Sequence, residues 1–189
     1  MSTFNELKEL YRNELRIYFD DPIFEQLVNT RNFEKVYDSL SDRPEAGVFT
    51  RTMLEAGENP LKYLHYVPAF YLYPGLCTER TFTIPEQVEW IGESAFSYNE
   101  NLESVVIASY KLHTIGFRAF EGCLRLQSFH LPVSVKKLCD EIFASCPCLK
   151  EIKYEGTVRQ FNEKFNGVSA WRRHSFVKKV VCSDGNIIF

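Results

Sequence analysis

Long apolar runs are missing from this chain of 189 residues. Nothing in it approaches the roughly 20 consecutive apolar residues of a membrane-spanning helix. The opening MSTFNELKEL carries charge and a helical pattern where an export signal would have an apolar centre. These absences lead to the expectation of a soluble, cytoplasmic protein with no membrane partner. Strong charge of either sign is also missing, since the net charge is −3. Residues 1–60 hold 7 basic against 12 acidic side chains, 61–150 hold 8 against 9, and 151–189 hold 7 against 4. An acidic front and a basic tail do not make the continuous basic groove of a nucleic-acid binder, so such a partner is not expected.

Catalytic and metal-binding patterns are absent as well. The chain has no phosphate-binding loop closing on Gly-Lys-Ser/Thr, no G-x-G-x-x-G, no H-E-x-x-H and no G-x-S-x-G. The histidines are His65, His113, His130 and His174, scattered along the chain. Cys146-Pro147-Cys148 is C-x-C, and the C-x-x-C spacing of common zinc sites is missing. His113 and His130 could approach a thiol in space, yet a buried free cysteine more often behaves as a small hydrophobe. The acidic pairs Asp20-Asp21 and Asp140-Glu141 read as helix or turn caps. No enzyme activity, cofactor or metal is therefore expected. The six cysteines, Cys77, Cys123, Cys139, Cys146, Cys148 and Cys182, read as reduced thiols.

What the chain does have is a repeat. IGESAF at Ile91–Phe96 returns as IGFRAF at Ile115–Phe120 and again as LCDEIF at Leu138–Phe143. Extending the match produces apolar columns: Ile91, Ile115 and Leu138; Phe96, Phe120 and Phe143; Leu102, Leu126 and Leu149; Val105, Phe129 and Ile152. Asn99, Cys123 and Cys146 form one more column. A fixed period in the twenties means a solenoid, because a single unit cannot bury its apolar face and neighbours must stack. The segments LESVVI, LQSFHL and LKEIKY alternate as half-buried strands do, so stacking makes a parallel sheet. Phe82-Thr83-Ile84 ends an earlier, degenerate unit, and Val67 stands one period before Ile91. The glycines after Ile91 and Ile115 suit a tight bend at positive φ.

The pattern I-P-x-x-V-x-x-I-G-x-x-A-F-x-x-C-x-x-L-x-x-V-x-I resembles the BspA type of leucine-rich repeat. It runs here through Ile84, Pro85, Val88, Ile91, Gly92, Ala95, Phe96, Leu102, Val105 and Ile107, and the next unit adds Cys123. The likeness extends over about residues 67–185 and departs at Asn99, where the family has Cys, and at Cys139, where it has Gly. It implies an α+β repeat: an N-terminal helical cap, then a short leucine-rich-repeat solenoid with a parallel sheet. Such repeats occur in bacterial surface proteins, some protists and many phage-encoded proteins, and are linked to protein binding. The implied function is a protein–protein interaction module of unknown partner. Its narrower form is a phage-encoded inhibitor of a host defence protein, and its rivals are an assembly component or a surface adhesin.

Residues 1–60 change to helical spacing. Phe4, Leu7, Leu10, Tyr11, Leu15 and Tyr18 form one amphipathic stripe with Thr3 and Glu6 as a capping box. Asp21 and Pro22 start a second helix, NFEKVYDSL a third and EAGVFTRTMLEAG a fourth, ended at Gly57. These helices read as a cap or a separate module, with residues 61–189 as the solenoid and about 151–189 as its closing cap. Between the inward columns, Thr81, Thr83, Ser104, Val106, Ser128, His130, Glu151 and Lys153 point outward, making the strand face the first candidate contact surface. The loop Tyr98-Asn99-Glu100 is a rival. The basic segment with Trp171, Arg172, Arg173, Lys178 and Lys179 reads first as a solvated closing cap with Trp171 packed inside, and alternatively as a site for phosphate or a nucleobase.

Overall fold

The computed structural model describes residues 26, 29–40, 43, 45–55, 59–72, 78–165 and 169–189. The first expected helix lies outside these residues, as do the start of the second, Gly57 and Cys77, while Gln26 and Asn29 of the second are helical. The third and fourth are α1 (Phe33–Ser39) and α2 (Glu45–Glu55). Tyr37 of α1 and Thr50 of α2 join their hydroxyls at 2.6 Å in the interior. Tyr37 also meets Phe49 edge-on at 5.3 Å and Tyr71 of the first coil at 6.1 Å. Burial pushes both phenols well above their ordinary pKa, so they stay neutral hydrogen-bonding groups at the helix–solenoid contact. A 3₁₀ turn at Pro60–Lys62 leads into the array, with Asn59 accepting from the Leu61 amide and the Tyr71 hydroxyl.

Each coil then supplies one short and one long strand. The short ones are β1 (Tyr66–Val67), β3 (Trp90–Ile91), β5 (Thr114–Ile115) and β7 (Lys137–Leu138), which form a parallel sheet in that order. The long ones are β2 (Thr81–Ile84), β4 (Ser104–Ile107), β6 (Ser128–Leu131) and β8 (Glu151–Tyr154), also parallel. Val67 pairs with Ile91, Ile91 with Ile115 and Ile115 with Leu138, so the sequence columns are the physical ladders. Between the sheets the turns stack too. The amide of each turn donates to the carbonyl of the next coil: Phe70 to Glu93, Ser94 to Phe117, Arg118 to Asp140, Glu141 to Ala170.

The interior is a column of rings. Phe96 and Phe120 stack with centroids 5.1 Å apart, and Phe120 and Phe143 follow at 5.9 Å. The Asn99–Cys123–Cys146 column has one task. Each side chain donates to a carbonyl of the preceding coil: Asn99 to Leu72 at 2.9 Å, Cys123 to Phe96 at 3.2 Å, Cys146 to Phe120 at 3.0 Å. Any small donor satisfies that buried carbonyl, which explains how Asn stands where the repeat has Cys. All five described cysteines are free thiols.

The glycines correct one expectation. Positive φ falls two residues later, at Ser94, Arg118 and Glu141, while Gly92 and Gly116 are not in that region. Their requirement is space. A Cβ on Gly92 would lie 2.4 Å from the Ala69 amide nitrogen, and one on Gly116 would lie 2.7 Å from the Gly92 carbonyl carbon. Both clashes are with backbone, which cannot swing aside. Gly116→Ala is therefore expected to lower stability by about 1–3 kcal/mol through overpacking. Urea unfolding measures this, and an unchanged midpoint would show that the coils separate without strain.

The closing segment holds elements that the sequence reading missed. Helix α3 (Val158–Phe165) buries Phe161 and Phe165 against the last coil, and a 3₁₀ turn covers Ser169–Arg172. Strand β9 (Lys179–Cys182) adds to β8 in parallel, and β10 (Gly185–Ile188) folds back antiparallel on β9. The long-strand sheet thus has six strands, in the order β10-β9-β8-β6-β4-β2. One contiguous core runs from Phe33 to Cys182.

Candidate functional site

Alternation along the long strands decides which residues reach solvent. Thr81, Thr83, Val106, Ser128, His130 and Lys153 are exposed, while Ser104 and Glu151 are partly covered. The register sets them in two rows. One runs Thr81, Ser104, Ser128 and reaches Glu151 opposite Lys179 and Lys179 opposite Ile188. The other contains Thr83 opposite Val106, His130 opposite Lys153, Lys153 opposite Val181 and Val181 opposite Asn186. The closing hairpin therefore widens the face by Lys179, Val181, Asn186 and Ile188. The signal for it was present in KVVCSDGNII, an alternating run broken by Asp-Gly.

The face grades from neutral to charged. At the β2 end the Thr81 and Ser104 hydroxyls share a hydrogen bond of 2.8 Å. At the other end Lys179 and Glu151 form an ion pair at 2.5 Å. Exposed pairs of this kind contribute about 0–1 kcal/mol, so their effect is on partner choice more than on stability. Val106 is 48% exposed and Ile188 70%, which places apolar contact area inside a polar surround.

The rival sites are dispersed. Asn99 is buried and serves the core, which leaves Tyr98 and Glu100 as the exposed part of that loop. The basic segment loses Trp171 as a surface ring but keeps Phe176, which is 46% exposed with the Lys150 ammonium 4.8 Å from its ring centroid. Trp171 is 2% exposed, Arg172 lies over the Phe189 ring at 4.1 Å, and Arg173 approaches Glu141 at 3.8 Å. Lys179 belongs to the strand face, and Lys178 is exposed with its amide bonded to the Lys150 carbonyl. His113 bonds Thr114 at 2.9 Å and His130 stands on the outer sheet face, whereas Cys123 and Cys146 are buried. No group of three potential metal ligands gathers among the described residues.

The variable turn positions assemble a clamp. Arg118 donates from Nε at 2.8 Å and lies with Nη2 at 2.7 Å from the same Glu141 oxygen, while His174 Nδ1 stands 3.5 Å from the other. The clamp ties the third coil to the fourth and to the closing segment. The Arg118 hydrogen bond holds the Glu141 carboxyl below its ordinary range, with nearby His174 and Arg173 adding to the effect. Since the folded value is lowered, this stabilisation is present above the ordinary value of 4.5 and is lost as pH falls through the folded value. Acid unfolding followed by circular dichroism is expected to be steeper below that pH in the native chain than in Glu141→Gln. Equal steepness would mean that the clamp contributes nothing in solution.

Comparison with known families completes this geometry. The pattern described as BspA type leucine rich repeat region matches residues 69–173 in six copies, more than half of the chain. The chain belongs to the BspA-type leucine-rich repeat family. Comparison with curated proteins and with solved structures finds no match. Leucine-rich-repeat solenoids typically serve as interaction scaffolds, and the family points to protein–protein binding or an adhesion-type role. Among the described residues no helix is long and apolar enough to cross a membrane.

Proposed function

We propose that this BspA-type repeat chain is a non-enzymatic module that captures a protein on the outer face of its six-stranded sheet. One observation carries the reading. The inward positions repeat from coil to coil, whereas the outward ones change from Thr83 to Val106 to His130 to Lys153. Stacking demands the first set and leaves the second free to differ, which is where a binding surface on a solenoid can be written. A few central side chains usually carry most of the affinity of an interface, so changing these four together should abolish capture. A pull-down from bacterial lysate with the native chain and with Thr83→Glu, Val106→Arg, His130→Glu and Lys153→Glu combined tests this. Retention of the same partner by the variant would remove the strand face as its site.

A narrower reading takes the captured protein to be a host defence enzyme, inhibited in the cytoplasm by a phage-encoded chain. Flanking phage structural genes would support it, and a chromosomal locus among surface-protein genes would favour adhesion. An assembly role is the alternative from a different class, motivated by the exposed Ile188 and Phe189 at the end of the sheet. Light scattering on the full chain separates the two, since a monomer at high concentration opposes self-assembly. Nucleic-acid binding through the basic segment loses Trp171, which is inside, and would have to stack a base on the exposed Phe176. Absence of binding at low salt, where phosphate contacts are strongest, would eliminate it.

A further inference from the structure

A hollow of about 440 Å³ lies beside β7, where α3 packs against it, away from the outer strand face. That volume is in the range of small-molecule sites, roughly 300–1,000 Å³. Its wall is divided in character. Lys136, Lys137 and Lys164 bring three ammonium groups to it, against the single carboxylate of Asp140. Phe117 and Leu138 supply apolar surface, and Cys139 lies between Leu138 and Asp140 in the lining.

The three cations are unbalanced. Among the described residues none of them forms an ion pair with a carboxylate. Lys164 donates to the backbone carbonyls of Val133 and Val135 and lies 5.9 Å from the Tyr154 ring centroid, contacts that hold its ammonium without neutralising it. Burial lowers the Lys164 pKa, and the nearby Lys136 charge lowers it further. An arrangement of like charges at one edge of an apolar recess is relieved by an anion that brings its own apolar body.

We infer that the hollow beside β7 binds a small organic anion, with its phosphate or carboxylate among Lys136, Lys137 and Lys164 and its apolar part against Phe117 and Leu138. Nothing in the protein-capture reading requires this site, and the two succeed or fail separately. The anion could be a phosphate ester or a carboxylic acid, since both offer charged oxygens to ammonium groups. A carboxylate is planar and singly charged, whereas a phosphate monoester near neutral pH carries more charge and one more acceptor oxygen, so paired probes separate them.

Cys139 is a built-in reporter, because it lines the hollow and is partly exposed, and Cys148 is an exposed control elsewhere. The full chain is treated with iodoacetamide at constant ionic strength, and modification of each cysteine is followed by peptide mass spectrometry. The probes are phenyl phosphate, benzoate, inorganic phosphate and uncharged benzyl alcohol. At twice its dissociation constant an occupying anion should slow Cys139 about threefold, while Cys148 is unaffected. Phenyl phosphate or benzoate should protect more than inorganic phosphate, and the better of the two identifies the anionic group. Lys136→Gln and Lys137→Gln, both at exposed side chains, should each weaken the protection, while Lys164→Gln tests the ammonium held by the carbonyls. Equal slowing of Cys139 and Cys148 would overturn the inference. So would protection by benzyl alcohol equal to that by the anions, inorganic phosphate protecting as well as the aromatic anions, or no protection by any probe.

Discussion

Phe120→Ala is expected to lower the stability of the chain by about 3–5 kcal/mol, the cost of removing a large buried ring and leaving its cavity. Phe120 is fully buried and has a ring on every side. It stacks on Phe96 at 5.1 Å and on Phe143 at 5.9 Å, and it meets Phe129 edge-on at 5.2 Å. In a solenoid each coil contacts only its neighbours, so a central side chain serves two interfaces at once. A domain is stable by only about 5–15 kcal/mol, which makes this loss a large share of the total. Urea unfolding should show a lower midpoint with an unchanged slope. Phe82→Ala should cost less, because Phe82 is partly exposed in the first coil and has Phe96 as its ring partner at 5.0 Å. If both truncations cost the same small amount, the ring column does not carry the contact between coils.

Trp171→Ala is the second large loss, again about 3–5 kcal/mol, and it should be local in its consequences. Trp171 closes the end of the ring column. Its ring is 6.4 Å from Phe143, 6.3 Å from Phe161 of α3 and 6.0 Å from Phe189 beyond β10. One side chain therefore joins the last coil, the closing helix and the final strand. Without it these three lose their common contact while the coils before them keep theirs. Hydrogen exchange should show amides of α3, β9 and β10 losing protection first, with β4 and β6 retaining it. Uniform loss across the array would mean that the closing segment and the coils unfold as one cooperative unit and that Trp171 does not act locally.

The two substitutions separate what was readable from what was not. Phe120 could be placed in the core from spacing alone, since Phe96, Phe120 and Phe143 recur at the repeat period. The same is true of Val67, which the period set before Ile91 and which pairs with it. Trp171 could be read as packed inside the cap, but its three partners could not, because the closing segment does not repeat. Helix α3 left a trace in Phe161 and Phe165, spaced one turn apart, and β10 left one in Asp184-Gly185. Both traces are local and say nothing of which coil they cover.

Turn chemistry shows the same division. Glycine at 92 and 116 suggested positive φ, a property of one residue. The need is instead for a close approach between the backbones of successive coils, a property of two. Positive φ is carried by Ser94, Arg118 and Glu141, side chains that give no hint of it. In sequence Asp140-Glu141 reads as a turn cap, whereas in the fold Glu141 is clamped by Arg118 one coil earlier and by Arg173 and His174 of the closing segment.

By itself the sequence determined the solenoid, its inward columns and the direction of its outward side chains, because a contact between equivalent positions one coil apart is written as a period. The tertiary structure alone decided the sixfold width of the strand face, the clamp and the hollow of lysines. Those depend on where a non-repeating segment comes to rest against the last coil, and no periodicity encodes that.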